Sequence, residues 1–252
     1  MDRPVIPGSD PVDYSKIVVP KPWGSEYLIF ENGSVAVWIL YIKPGEETSM
    51  HCHTTKRTSL VVLQGRVCCS TLLSSWERKL GQGLCLHEGV FHQTKGLSPE
   101  GAYVMEVETP VRKQDLIRLR DRYGRAGSSY ESSDGRTRNK QNEDYFSFEA
   151  STGRRGVKRF EHSTVSFLRL NSHNARSDLS AFADSEPVCL LRGLLFDTAR
   201  QAHVKPGSML AAGALRRALN NHRQPDIDIL GIGLGGSVPV QQPAQGIRST
   251  GS

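Results

Sequence analysis

The chain contains no run approaching the roughly 20 uninterrupted apolar residues that a bilayer-spanning helix requires. Its opening residues, Met1-Asp2-Arg3-Pro4, lack the charged-then-apolar pattern of a secretory signal. These two absences exclude a helical membrane protein and lead to the expectation of a cytoplasmic location. Cysteine is scarce and odd in number: Cys52, Cys68, Cys69, Cys85 and Cys189 lie inside apolar runs and form no spaced framework. A disulfide scaffold is therefore not expected, and the thiols read as reduced and mostly buried. There is also no long basic tract. The net charge is +6, but Lys and Arg are spread along the chain, with local clusters only at 118–125 and 154–159. That spread argues against specific nucleic-acid binding and for a basic surface or affinity for a phosphorylated small molecule.

What is present is a rhythm of short apolar runs. The 252 residues, 37% hydrophobic and 23% charged, suit a soluble chain of one large or two small domains. Runs at 27–30, 35–42, 60–63, 66–71, 84–86 and 103–107 are separated by turn signals such as Lys43-Pro44-Gly45, Gln64-Gly65 and Gly81-Gln82-Gly83. Turns at this spacing, with no helical crossover pattern between them, predict an all-β sandwich or barrel. Residues 1–20 read as an arm and 126–143 as a polar linker; 235–252, rich in Gly, Pro, Gln and Ser, read as a disordered tail. Strand-like runs resume between them, in 144–234. Leu60-Val-Val-Leu-Gln-Gly65 lines up with Val188-Cys-Leu-Leu-Arg-Gly193, and Gly83–Gly89 lines up with 207–213, which suggests two barrel-like units in one chain.

The chemistry concentrates in Gly45-Glu-Glu-Thr-Ser-Met-His51-Cys-His53. Strand alternation puts His51 and His53 on one face and turns Cys52 away. A third imidazole from a neighbouring strand would complete a chelating set, and His92 is the candidate. His87 reads as a lip residue of the pocket or a turn residue. The spacing resembles the cupin superfamily. Gly45, His51, His53 and Gly65 match its first motif, with Thr58 where a Glu is expected. Gly81, Gly89 and His92 match the second, with His87 for the Pro and Gly96 for the Asn. The resemblance implies a bicupin: a metal-binding barrel over 21–125 and a second, degenerate one over 144–234. It implies His51, His53 and His92 as ligands of one divalent ion, which could be Zn, Fe, Ni or Mn, with Thr58 hydrogen-bonding a bound water.

Flanking segments narrow the likeness. Lys21-Pro-Trp-Gly24 and Asp121-Arg-Tyr-Gly-Arg125 resemble the edges of the cupin domain of type II mannose-6-phosphate isomerases and related sugar-processing cupins. In that family the ion polarises a sugar oxygen while a base moves a proton. The resemblance then implies Glu106 as base or orienting acid, with a structural ion pair as the alternative. It implies Lys56, Arg57, Arg118 and Arg125 as phosphate contacts. The family usually carries Gln at the position of His51 and an acid at that of Thr58, so fold and metal transfer better than substrate does. Counting from Gly193 and Gly213 puts Leu179, Ala181 and Arg216 where the second copy would need ligands, and His162, His173, His203 and His222 read as surface residues. The second copy is expected to be metal-free, with a structural, dimerising or pocket-covering role. The leading function is an isomerase or epimerase of a phosphorylated or nucleotide-linked sugar, with a homodimer as the expected assembly. A three-His Fe(II) oxygenase and a non-catalytic metabolite-binding cupin are the alternatives.

Overall fold

The computed structural model describes residues 13–127, 140–146, 156–220 and 225–235. The N-terminal half contains β1 (Val18–Lys21), β2 (Gly24–Glu31), β3 (Ala36–Ile42), β4 (Met50–Cys52), β5 (Arg57–Gln64), β6 (Arg66–Thr71), β7 (Ser75–Lys79), β8 (Gly83–Leu86), β9 (His92–Gly96), β10 (Ala102–Thr109) and β11 (Ile117–Arg120). They pair as two antiparallel sheets, in the orders β1-β2-β3-β10-β5-β8 and β11-β4-β9-β6-β7. Facing each other, these sheets form the expected antiparallel β-barrel. Gly65 turns β5 into β6 at φ +76°, and a Cβ there would lie 2.6 Å from the Gly101 carbonyl oxygen, so both conformation and space require glycine.

The C-terminal half repeats this plan. It contains β12 (Val157–Arg159), β13 (Ser163–Asn171), α1 (Ala175–Leu179), β14 (Pro187–Arg192), β15 (Leu195–Asp197), β16 (Ala202–Val204), β17 (Met209–Ala211), α2 (Ala212–Asn220) and β18 (Asp226–Leu234). Its sheet order, β12-β13-β18-β14-β17, is that of β2-β3-β10-β5-β8. The repeat extends to single bonds. Gly81 N donates to Val62 O (2.9 Å) and Val62 N to Gln82 O (3.0 Å); Gly207 N donates to Leu190 O (2.7 Å) and Leu190 N to Ser208 O (3.0 Å). Val62 thus corresponds to Leu190, as the sequences suggest. Gly207, however, corresponds to Gly81 and not to Gly83, because matching turns, Gln82 N to Lys79 O and Ser208 N to Lys205 O, fix the register.

The second sheet of the barrel is not repeated in full. The ribbon β15–β16 stands where β6–β7 stand in the first copy. In chain order, α1 takes the place of β4 and α2 that of β9. Helices and ribbon together bury the inner face of the C-terminal sheet, from Leu168 and Leu170 to Leu195, Leu215 and Leu219.

The two halves share one core. Ile29, Val37, Ile39, Val61, Leu63, Met105 and Val107, on the outer face of the six-stranded sheet, pack against Val165, Phe167, Cys189, Leu191, Leu230 and Ile232 of the C-terminal sheet. Two expectations about connecting segments need correction. Residues 13–20 are not a free arm, because β1 pairs with β2. Residues 140–143 are not a linker either: Gln141 bridges Ile17, and buried Asn142 donates from Nδ2 to Leu28 O at 2.7 Å. Polar side chains there serve the backbone of the first barrel. Residues 128–139 of that segment and 236–252 of the tail lie outside the described residues.

A shared core predicts one cooperative unfolding transition, since neither outer face can be exposed alone. Phe167→Ala, which empties the seam beside Phe30 (ring centroids 5.6 Å apart), should cost about 3–5 kcal/mol in denaturant unfolding. Two resolved transitions in the unaltered protein would contradict the single core.

Candidate metal centre

His51 on β4 and His92 on β9 are a cross-strand pair, with ring centroids 4.4 Å apart. His53 lies one residue past β4 on the same face, 5.1 and 5.4 Å from the other two rings. The nitrogens these rings offer lie within 4.8 Å of one another. Each Nδ1 faces a backbone carbonyl: His51 that of Ser49 (2.8 Å), His92 that of Val90 (2.9 Å) and His53 that of Asp115 (2.5 Å). A carbonyl only accepts, so each Nδ1 carries the proton and each Nε2 keeps its lone pair. Such outer contacts fix tautomer and ring orientation in a metal-binding imidazole set.

Burial makes these rings poor bases. It holds His51 well below its ordinary value, helped by His92 and His53. Burial likewise pushes His53 down to about 3, with Lys56 adding to it, and His92 down to about 4. Neutral imidazoles with free lone pairs are what a divalent ion requires. The orphaned atoms fit the same group: His53 Nε2, Thr58 Oγ1 and Glu108 Oε2 are buried without a hydrogen-bond partner.

Thr58 does stand where a carboxylate was expected, but the site does not lack one. Glu108 on β10 is the direct cross-strand neighbour of Thr58, and it forms a second cluster with His53 and Glu106. Alternation along β10 sends both acids inward, so Glu108 was detectable from its spacing to Glu106. Their titrations diverge. Burial, reinforced by Glu108, raises Glu106 to about 7. Burial opposes charge on Glu108 too, but Lys56 and Lys113 overcome it and hold Glu108 below the usual range.

The cavity, about 70 Å³ in volume, is also lined by cations. Lys56 is buried and ion-paired with Glu108, so it holds an acid as well as facing the cavity. Arg118, on β11 opposite His51, is buried in the wall. Arg125 reaches the same wall while forking onto Asp121, from Nη2 at 2.7 Å and Nε at 3.1 Å. Arg57 is not among the lining residues: alternation between inward Lys56 and Thr58 turns it out of the barrel, which corrects its expected phosphate role. Lys21, Glu26 and Lys113 were not foreseen. Lys113 Nζ lies 2.9 Å from Glu26 Oε1 and 3.3 Å from the Trp38 ring centroid. Asp115 was not foreseen in this role either. Its carboxylate accepts from Thr54 N and Oγ1, Thr55 N and Oγ1, and Lys56 N, at 2.7–3.1 Å. That clamp shapes the loop after His53 and aims the Asp115 carbonyl at the ring.

His87 is exposed on a turn, and His162, His173 and His203 are exposed; His222 lies outside the described residues. All five cysteines are free, though Cys85 is exposed and Cys68 only half-buried. No described helix is long and apolar enough to cross a membrane.

No family profile matches the chain, and no curated relative does. Solved structures similar to it include KdgF from a Halomonas species (14% identity over 36% of this chain and 84% of that one, TM-score 0.34). A sugar phosphate isomerase of the cupin superfamily from Silicibacter pomeroyi shares 16% identity over 34% and 59% of the two chains, with TM-score 0.33. The capsular polysaccharide assembling protein CapF from Staphylococcus aureus shares 15% over 42% and 34%, with TM-score 0.38.

The depressed histidines make the metal-free protein acid-sensitive. Their unfolded forms take up protons below about pH 6.5 while the folded forms refuse them, so stability falls as pH drops from about 6.5 towards 4. His53 and His92 should each cost on the order of 2 kcal/mol between pH 7 and 5, while Glu106, raised in the fold, acts oppositely by a similar amount and offsets about one of them. Chemical denaturation of chelator-treated protein at the two pH values measures this, and His53→Gln should flatten the dependence.

Proposed function

We propose that the chain is a metal-dependent cupin enzyme that moves a proton between adjacent carbons of a phosphorylated or nucleotide-linked sugar, as an isomerase or epimerase. The observation that carries the reading is one shared cavity faced by three imidazoles, the paired acids Glu106 and Glu108, and several cations. His51, His53 and His92 would hold one divalent ion, with Glu108 the carboxylate nearest to hand. When bound, the ion supplies Lewis acidity towards a carbonyl or enediolate oxygen.

The remaining work falls to the chain. Glu106 takes a proton as carboxylate and returns it as acid to the neighbouring carbon, a division of labour aided by Lys56, which keeps Glu108 charged. Arg118 presents a guanidinium suited to phosphate, and Arg125, already forked onto Asp121, adds positive charge to the same wall. The small cavity admits the reacting end of the substrate and leaves the rest outside. A buried acid able to change protonation near neutrality favours proton transfer over oxygen chemistry.

Two measurements test this. Elemental analysis of purified protein should give one transition-metal ion per chain, near zero for the His51→Ala, His92→Ala double variant and unchanged for Arg216→Ala. Washing deuterium from solvent into open-chain aldose and ketose phosphates should be detectable by NMR. Glu106→Gln should slow it by roughly 100-fold or more while keeping the metal. Iron with oxygen consumption, or metal-free protein from metal-supplemented growth, would overturn the reading.

A further inference from the structure

The six-stranded sheet carries a second cleft on the face away from the histidines. Four residues form one row across its strands: Ser25 pairs with Tyr41, Tyr41 with Tyr103, and Tyr103 with Gln64. Two residues further along, the same face is aliphatic and sealed, with Ile39 and Met105 buried under the C-terminal sheet. At the row of tyrosines the two halves part and enclose a cleft of about 510 Å³.

Its walls alternate flat rings with planar polar groups. Tyr41 and Tyr103 lie with centroids 5.0 Å apart, and Tyr103 continues onto Phe160 of the opposite half at 5.3 Å. Beside this ladder Gln64 Nε2 donates to Glu161 Oε2 at 3.0 Å, and Lys158 pairs with Asp144 at 2.5 Å below the Tyr27 ring. The lining charges balance: Lys140, Lys158 and Arg159 against Glu143, Asp144 and Glu161. The barrel cavity differs, with five cations (Lys21, Lys56, Lys113, Arg118, Arg125) against three acids (Glu26, Glu106, Glu108).

We propose that this cleft is a binding site for a neutral saccharide, separate from the metal centre. A pyranose ring offers an apolar C–H face that stacks on tyrosine and a rim of hydroxyls that bond to amide, carboxylate and ammonium groups. The volume falls within the range of small-molecule sites, and the charge balance favours an uncharged ligand over a nucleotide or phosphate ester. Because it lies on the opposite face of the sheet, its occupation does not depend on metal.

Calorimetry of the full chain against neutral tri- and tetrasaccharides of glucose and of N-acetylglucosamine tests the assignment. Binding of at least one at millimolar or lower Kd is expected, unchanged by chelator and by the His51→Ala, His92→Ala double variant. Tyr103→Ala should weaken it roughly tenfold or more, with Tyr103→Phe retaining most of it. Since Tyr103 also packs against the shared core, exposed Glu161→Ala provides a variant that leaves the core intact and should weaken binding too. No binding to any of these sugars by folded protein would overturn the proposal. Binding indifferent to both substitutions, binding lost with metal, or binding of a proline-rich peptide in place of a saccharide would do the same.

Discussion

Along β10, Val104, Glu106 and Glu108 look into the barrel, while Met105 and Val107 pack against the C-terminal sheet. The same alternation runs through β3 and β5, so the central strands of the six-stranded sheet are buried on both faces. Everything else depends on that double burial. Inward positions near one end of the barrel carry acids and face imidazoles, which contribute little hydrophobic stabilisation. Outward positions along the middle of β3, β5 and β10 are mainly aliphatic and join the two halves into one core. A strand covered on both sides reads as a continuous apolar run, and 35–42 is such a run.

The C-terminal half supplies the covering layer. The second copy retains the sheet that packs against the first and departs in the two segments that would have carried ligands. In the first copy β4 bears His51, with His53 just beyond it, and β9 bears His92; in the second those places are α1 and α2. Arg216, the position that offset counting set against His92, donates from α2 to Leu179 O (2.5 Å) and Phe182 O (3.1 Å) and pairs with Asp184. Its guanidinium ties the helices together where an imidazole would have faced a cavity. The geometry for three converging side chains is lost with the strands that would have displayed them.

The histidine set was legible because strand alternation and the offset between two motifs are local arithmetic. The all-β architecture was legible for a similar reason, from turn residues between short apolar runs. Glu108 could have been read by applying to β10 the alternation used for His51 and His53. Asp115 could not. Its carbonyl meets a ring 62 positions earlier in the chain, and only the folded loop at 54–56 brings them together. Arg57 was misplaced by attending to charge and neglecting the face on which it falls. The helix at 212–220 was visible in its Ala and Leu content, yet the repeat alignment favoured a strand-bearing motif; propensity was the better guide there. Residues 140–143 were hidden because a polar segment that satisfies buried carbonyls has the composition of a solvated one.

The barrel interior is costly to fold. Lys56, Glu106 and Glu108 are nearly removed from solvent, and ion pairing between buried groups seldom repays their desolvation. Three polar atoms in the same space lack partners, each costing about 1–3 kcal/mol when left bare. Packing alone would have filled such a barrel with Leu and Val, as the end around Trp38, Val62 and Val104 is filled. The charged end persists because the stabilising area lies elsewhere, on the outer face of the same sheet. A lone barrel of this kind would have to balance its polar interior against its own small core. Here the C-terminal sheet adds an apolar layer without touching the cavity, so changes inside the barrel and changes in stability are carried by opposite faces of the same strands.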